Sequence, residues 1–442
     1  PLALQQNVAV GSSIHITFDQ NIHFVGSGNV VIREGSSNGT AIQTFSISSG
    51  AGPSGLSIVD TQLIIEPSSD FNLGTSIYVT LPSSGIANTE GDFFAGSSNY
   101  NFRTVEQTFS AQGGDYVYTI NDPGSPTNYY KYHIFTTTTS TGILTTSAPS
   151  ASAADLMFMM VAGGGCGSNK DLSDNLAGAG GGAGGVITKT GPALAIAAGS
   201  YPIGVGTGGH PQTSPYTGNP GRGGDTTFSS PTAVLLTAFG GGAGAQNGTW
   251  PDVDTPRFGQ PGGSGGGAKV PPESNAGTGY AGQGNPGGGY NTTYPYAGAG
   301  GGGGAGAAGG TAQHPGSPTG TRTGGAGGVG VAVPAFKSPV LSGYVPIYSG
   351  DALTSIGPNG YYGGGGGGAA NGPTSLTAPG PGGSGGGGNA GAYGPGVYAQ
   401  QGANGTGGGG GGRGNNPTPP TIPTYVRGGS GVVMIRYNTP AP

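Results

Sequence analysis

The sequence contains very few charged residues. Only 7% of its 442 residues are charged, with 13 Lys and Arg against 18 Asp and Glu and a formal net charge of −5. No basic run occurs, whereas nucleic-acid binding requires clustered Lys and Arg. The sequence therefore predicts no nucleic-acid partner, and solubility has to come from backbone amides, hydroxyl groups and carboxamides.

Cysteine and long apolar runs are also scarce. Cys166 is the only cysteine, which excludes an internal disulfide, and a small side chain near a strand end is favoured over a reactive thiol. The longest apolar run, 156–162, is far shorter than the roughly 20 residues that span a bilayer, so we expect no membrane insertion. The chain begins at Pro1; removal of a leader would favour export, whereas trimming would carry no information.

Glycine and proline are abundant instead, with 103 Gly and 36 Pro. Such a content without a strict repeat is typical of low-complexity chains. Disordered chains, however, are usually charged and poor in aromatic residues, whereas Tyr, Phe and Trp make up 8% of this chain. The aromatic residues are spread between the glycine runs, which favours an ordered glycine-rich region.

Residues 1–103 have the pattern of an all-β module. Ile14, Ile16 and Phe18 alternate with polar residues, as in a half-buried strand. Similar segments, separated by turn residues, are 30–34, 42–47, 63–65 and 77–81. Short strands at this spacing predict a β-sandwich.

The opening segment of this module, residues 7–22, resembles the start of the S-layer-type bacterial Ig-like domain. Later segments that share the resemblance are 28–33, 63–67, 73–80, 94–96 and 101–104. In that family such domains are spacers or stalks of surface proteins, without a catalytic site. The resemblance implies an Ig-like β-sandwich with a stalk role.

Residues 104–239 are again β-patterned, and one more strand is predicted at 431–437. The candidate strands of the first range are 116–120, 129–136, 156–161, 185–188, 199–205 and 233–239. Between them and the last strand there is almost no strand or helix signal, and a structureless loop of that length is abnormal in a compact domain. We predict a β-scaffold at 104–239, a glycine-rich insert at 240–430 and a closing strand and tail at 431–442. The fold class is all-β with essentially no α-helix.

Backbone hydrogen bonds between neighbouring chains can order the glycine-rich insert. Polyproline II helices have three residues per turn and no internal hydrogen bonds, so chains of glycine pack side by side and satisfy their backbone groups laterally. This arrangement, polyglycine II, requires glycine at every third position of a contacting face. The glycines assigned to such packing are Gly300, Gly303, Gly306, Gly363, Gly366, Gly385, Gly388, Gly391, Gly405, Gly408 and Gly411. Irregular loops on a β core and disorder are the alternatives, while the lack of a Gly-X-Y register disfavours collagen.

A second resemblance covers about residues 105–437. The segments that carry it are 160–165, 179–187, 224–228, 239–244 and 428–437. They are similar to the glycine-rich domain of phage tail-fibre proteins and some bacterial surface proteins. In a related architecture, the tip adhesin of some tailed phages, glycine helices stack and the loops at their ends meet the host receptor.

Motifs for catalysis and metal binding are weak. Gly-x-Ser-x-Gly occurs at 262–266 and 382–386, but neither has the strand–turn–helix context of a nucleophile elbow. The histidines have no partner at metal-ligand spacing. The acidic residues that leave a calcium site open as an alternative are Asp171, Asp174, Asp252 and Asp254. We therefore predict no enzymatic activity, no catalytic residue, no metal and no cofactor.

Aromatic residues between glycine runs are the candidate contact surface, because aromatic rings supply a large contact area at low entropic cost. Residues predicted to contact a receptor or a second subunit are Trp250, Tyr290, Asn291, Tyr294, Tyr296, Tyr361, Tyr362, Tyr393 and Tyr398. The other interpretation is that these side chains fill gaps between helices or pack on the β core.

Two functions are consistent with these patterns. The first is a non-enzymatic structural or adhesive protein of an extracellular or virion fibre, resembling a phage tail-fibre receptor-binding protein. Its partner would be a host surface glycan or an outer-membrane protein. The alternative is a subunit of a secreted bacterial cell-surface filament or layer that self-assembles through both domains. Either function predicts a homo-oligomer or filament outside the cell, on a virion or a bacterial surface.

Overall fold

A computed structural model of the chain describes residues 2–48, 52–105, 109–122, 125–153, 155–168, 177–210, 221–245, 258–269, 275–290, 298–313, 321–336, 360–371, 377–392, 397–414 and 426–439. The chain divides into two compact units, Pro1–Thr108 and Phe109–Pro442. Within the described residues, helical structure is limited to α1 (Gly191–Leu194) and to the 3₁₀ turns Ser150–Ser152 and Pro334–Phe336. None of these has the length and apolarity needed to cross a bilayer. The predicted all-β class is confirmed.

The first unit is a β-sandwich of short strands. They are β1 (Ile14–Thr17), β2 (Ile22–Phe24), β3 (Gly28–Glu34), β4 (Thr40–Ile47), β5 (Leu56–Val59), β6 (Gln62–Ile65), β7 (Ser76–Leu81), β8 (Ile86–Asn88) and β9 (Ser97–Arg103). One sheet has the order β1-β6-β5, another has the order β4-β3-β7-β9, and β2 pairs with β8. Alternate residues of the strands, such as Ile77, Val79 and Leu81 in β7, face a shared apolar core that includes Ile14 and Leu63 from the opposite sheet. The alternation seen in the sequence thus marks the inward side.

The second unit also consists mainly of strands. They are β10 (Ala111–Gln112), β11 (Tyr116–Asp122), β12 (Ser125–Phe135), β13 (Gly142–Thr146), β14 (Met157–Val161), β15 (Val186–Thr190), β16 (Gly199–Gly204), β17 (Thr226–Ser229), β18 (Val234–Ala238), β19 (Arg322–Thr323), β20 (Val331–Ala332), β21 (Tyr361–Tyr362), β22 (Thr377–Ala378) and β23 (Val432–Thr439). Two five-stranded sheets have the orders β10-β13-β16-β17-β18 and β11-β12-β23-β14-β15. Residues of both sheets meet in one apolar core, among them Phe158, Tyr201, Phe228 and Ile435.

The strands β14 and β23 are buried on both faces. Phe158 and Met160 of β14 face the core between the sheets, whereas Met159 and Val161 face a second core that includes Phe336. A strand that is covered on both faces has no polar side. This explains why the sequence shows a continuous apolar run here instead of an alternation.

The last strand of the chain occupies the middle of its sheet. β23 pairs antiparallel with β12 on one side and with β14 on the other, so that Ile435 lies opposite both His133 and Phe158. After β18 the chain leaves the two large sheets, and it returns to them at β23. Between these two strands, the strands among the described residues are the two-residue pairs β19–β22 and β20–β21. The predicted closing strand therefore completes the scaffold sheet at its centre.

Candidate functional site: a laterally bonded glycine bundle

Extended glycine-rich segments of the second unit lie side by side outside the β ladders, and we call this set the glycine bundle. Its segments are 162–168, 177–185, 221–224, 239–245, 259–268, 298–304, 324–331, 362–371, 378–391, 400–413 and 426–431. Three of them lie before residue 240, so lateral glycine packing begins inside the range predicted as β-scaffold. The interior of the bundle is mostly buried backbone.

Hydrogen bonds in the bundle follow a three-residue rotation. In the segment 162–168, the first, fourth and seventh N–H groups donate to 177–185. The second and fifth donate to 221–224, and the third and sixth donate to 426–431. All of these N–O distances lie between 2.8 and 3.0 Å. Each segment is thus bonded to several neighbours at once, unlike a strand in a flat sheet.

The segment 177–185 repeats this behaviour with other neighbours. Gly178, Gly181 and Gly184 donate to 407–413, and the residues between them donate in turn to other segments of the bundle. A period of three is the geometry expected of polyproline II chains that bond laterally. The observed bonding agrees with the predicted lateral packing, and the assignment of the segments to polyglycine II helices stays a prediction.

Glycine is required in the bundle because neighbouring backbones occupy the space of a side chain. A Cβ on Gly181 would collide with the carbonyl of Gly165, and one on Gly366 would collide with that of Gly410. Small residues are accepted at some positions of the bundle. Among them is a buried alanine cluster that contains Ala177, Ala179, Ala245, Ala299, Ala369 and Ala390.

Most of the glycines predicted to pack between chains donate a lateral hydrogen bond. They are Gly300, Gly303, Gly306, Gly363, Gly366, Gly388, Gly391 and Gly411, and the carbonyl of Gly408 accepts one from Gly429. Three assignments need correction, because Gly363, Gly385 and Gly405 have φ values of +73°, +102° and +72°. Polyproline II backbone has a negative φ, so Gly363 bends the chain at the start of 362–371, and Gly385 and Gly405 turn it within 378–391 and 400–413.

The predicted contact residues differ in whether the structure describes them and in how far they are exposed. Trp250, Asn291, Tyr294, Tyr296 and Tyr393 lie outside the described residues. Of the others, Tyr290 is buried with 9% of its surface exposed, Tyr361 is half-buried and Tyr398 is 39% exposed.

Tyr362 is fully buried in the second apolar core, and its hydroxyl donates to the carbonyl of Phe336 at 2.6 Å. Burial and a coulombic contribution from Tyr132 raise the pKa of this phenol far above its usual value. The structure does not support a surface contact by Tyr362. Its role is to pack the loop ends of the bundle against the scaffold sheet.

Tyr398 lines an open groove of about 530 Å³ at the edge of the bundle. The other side chains along this groove belong to Pro379, Pro381, Asn389, Val397 and Gln400. Only the tyrosine of this groove was predicted from the sequence as a contact residue. Val397 and Gln400 lie close to Tyr398 in the sequence, and Pro379, Pro381 and Asn389 come from the segment 378–391.

The serine of the first Gly-x-Ser-x-Gly motif, Ser264, is fully buried, so its hydroxyl does not reach solvent. Cys166 is buried as well, and burial raises the pKa of its thiol to about 12. This agrees with the interpretation of Cys166 as a small packing residue. The described part of the chain has no cluster of three or more His, Cys, Asp or Glu suited to a metal ion. The four aspartates considered for calcium lie outside that part.

Comparison with known families identifies the type of domain that forms most of the second unit. The sequence model of a glycine-rich domain matches residues 137–438, well over half of the chain. The chain belongs to this glycine-rich domain family. In front of the glycine-rich domain, residues 1–104 match the model of a bacterial Ig-like domain. No curated protein and no solved structure matches the chain.

An Ig-like module followed by a glycine-rich domain indicates a surface or structural protein. Bacterial Ig-like domains are often exposed on surfaces. In this glycine-rich domain protein the bundle supplies a rigid body with little side-chain chemistry inside.

Proposed function

We propose that the protein is a non-enzymatic adhesive component of an extracellular or virion fibre, in which the Ig-like unit is a stalk and the glycine-rich unit contacts the receptor. The glycine bundle is the observation that carries this proposal. Its backbone is hydrogen-bonded in several directions, so the loops that leave it are held by a stiff support. Binding residues on loops of a rigid scaffold are a common functional arrangement.

The exposed residues at the edge of the bundle support an adhesive role. Val397 and Tyr398 expose 47% and 39% of their surfaces in the groove described above, whereas Tyr132, Tyr362 and Tyr437 of the same unit are buried. Exposed aromatic residues in clefts are typical of recognition sites. A partner such as a host surface glycan or an outer-membrane protein fits this surface.

A cell-binding assay tests the proposal. Fluorescently labelled full-length protein is mixed with a panel of bacterial strains, and a chain that ends after residue 105 is the control for binding through the Ig-like unit alone. We expect saturable binding of the full chain to some strains and no binding of the control. Absence of saturable binding to every strain of a broad panel would argue against an adhesive role.

The alternative, a subunit of a secreted surface filament or layer, is favoured by the open sheet edges of both units. β4 ends a sheet of the first unit and β11 ends a sheet of the second unit. Unpaired strand edges are templates for pairing with another chain. Electron micrographs of the purified protein separate the two proposals, because long helical polymers of this chain alone would support the filament and oppose the fibre tip.

A further inference from the structure

The groove at Tyr398 carries no charge on the side chains that line it. Its described lining consists of proline, glycine, alanine, valine, tyrosine, asparagine and glutamine. An ionic ligand would find no opposite charge there and would lose its hydration without compensation. The groove therefore selects an uncharged partner.

The two carboxamides of the groove are held in fixed positions. Asn389 accepts a hydrogen bond from the N–H of Gly382 through Oδ1 and donates through Nδ2 to Oε1 of Gln400, both at 2.8 Å. The backbone N–H of Gln400 also donates to the carbonyl of Asn389 at 2.8 Å. Because Oε1 of Gln400 is already engaged, its Nε2 group remains as a donor, and no acceptor for it is found among the described residues.

The floor of the groove is rigid backbone of the glycine bundle. The N–H of Ala390 donates to the carbonyl of Gly380 at 3.1 Å, and the N–H of Gly411 donates to the carbonyl of Gln400 at 2.9 Å. Gly380 and Ala390 are buried. A site that is already formed does not have to be ordered by its ligand, which removes one cost of binding.

We propose that this groove binds an uncharged oligosaccharide. A sugar ring has an apolar C–H face that stacks on an aromatic ring, and hydroxyl groups at its rim that accept from amide N–H groups. The exposed ring of Tyr398 and the Nε2 group of Gln400, which belong to residues lining the same groove, offer both contacts. Proline-rich peptides are the weaker fit, because they dock in grooves lined with several aromatic rings. The inference rests on the adhesive function proposed above and names the ligand class of its surface.

The test uses the full chain and uncharged trisaccharides of glucose, mannose, galactose and N-acetylglucosamine as probes, with binding measured by saturation-transfer NMR and calorimetry. We expect at least one probe to bind, and Tyr398→Ala to weaken that binding by roughly tenfold or more, as for an aromatic contact residue. Tyr398→Phe keeps the ring and should retain most of the affinity, and Gln400→Leu should weaken it. Tyr280→Ala is the matched control, because Tyr280 is 53% exposed elsewhere on the same unit.

Two results would overturn the proposal: no probe binds, or Tyr398→Ala binds the probe as well as the unchanged chain does. The cell-binding assay separates this failure from that of the wider function. If Tyr398→Ala still adheres to cells as the unchanged chain does, the groove is not the receptor site and the adhesive function stands. If no variant and no unchanged chain adheres, the adhesive function itself is wrong.

Discussion

Gly221 lies directly against Cys166 in the glycine bundle. The N–H of Cys166 donates to the carbonyl of Gly221 at 2.8 Å, and a Cβ on Gly221 would collide with Sγ of Cys166. Gly221 also has a φ of +84°, in the left-handed region that favours glycine. The only cysteine of the chain thus fills the space that a side chain of Gly221 would need.

Replacing Gly221 by alanine is expected to destabilise the second unit for two separable reasons. Overpacking against a sulfur and a left-handed backbone together should lower the free energy of unfolding by about 3 kcal/mol. In a Cys166→Ala background the cost should fall to about 2 kcal/mol, because the collision with Sγ is removed while the backbone strain and a tight contact of 3.3 Å with Cβ of Ala243 remain. Urea denaturation of the four chains of this double-mutant cycle measures both terms.

The control for the strain term is Gly282→Ala. Gly282 has a φ of +78°, and a Cβ there would meet nothing within 4 Å. Its replacement should therefore cost only about 1 kcal/mol. Equal costs at Gly221 and Gly282 would show that Cys166 contributes nothing.

Amide hydrogen exchange tests the order of the glycine bundle. The amides of 363–369 and 407–412 donate mainly to other segments of the bundle. We expect these amides to exchange roughly a thousandfold more slowly than unprotected ones, because exchange requires the bundle to open. Fast exchange throughout both stretches is the result that would contradict lateral bonding.

Removal of β23 is expected to unfold the second unit and to leave the first unit intact. β23 pairs with β12 and β14 at the centre of a sheet, and its deletion exposes two buried strands and part of both cores. A chain ending at Gly431 should lose the thermal transition of the second unit, and a chain ending at Thr439 is the control. Retention of both transitions in the shorter chain would refute the central role of β23.

The buried imidazole of His133 is expected to make the second unit less stable at acidic pH. Burial lowers the pKa of its imidazole from the ordinary 6.5, and the charge of Lys131 acts in the same direction, while the hydrogen bond to the carbonyl of Gly113 opposes them. In the unfolded chain His133 is therefore protonated near pH 6.5, whereas in the folded chain it stays neutral until a lower pH. The free energy of unfolding consequently decreases as the pH falls below 6.5.

The measurement is the free energy of unfolding of the second unit between pH 7.5 and pH 5, values that bracket the ordinary pKa of histidine. His133→Gln should reduce the slope, because glutamine does not titrate, while His210 of the same unit, whose pKa is lowered by burial and by the charge of Arg427, should retain part of it. His23→Gln removes a histidine of the other unit and should leave the profile of the second unit unchanged. An unchanged slope in His133→Gln would exclude His133 as its source.

Strand prediction succeeded where the apolar pattern was strong. The alternation at 77–81 and the apolar runs at 156–161 and 431–437 all correspond to strands. It missed β5 and β13, and it also missed the two-residue strands β19–β22, which hold too few residues to show a period. The small helix α1 was missed for the same reason.

The candidate surface was predicted less well than the fold. Tyr362 and Tyr398 have similar sequence surroundings, rich in glycine, yet one is fully buried and the other is exposed in a groove. Local composition does not distinguish them, because their exposure depends on which distant segments pack beside them.

The sequence by itself determined the all-β class, the Ig-like module, the lack of charge chemistry and the three-residue spacing that allows glycine chains to bond laterally. These properties are local, since they depend on composition and on short periods along the chain. Tertiary structure decided which segments are neighbours, that the last strand lies in the middle of its sheet, and that Gly363, Gly385 and Gly405 turn the chain. Hydrogen bonds between glycine backbones do not depend on side chains, so the sequence of a segment does not specify which segment it pairs with. That pairing is determined only when the whole bundle is assembled.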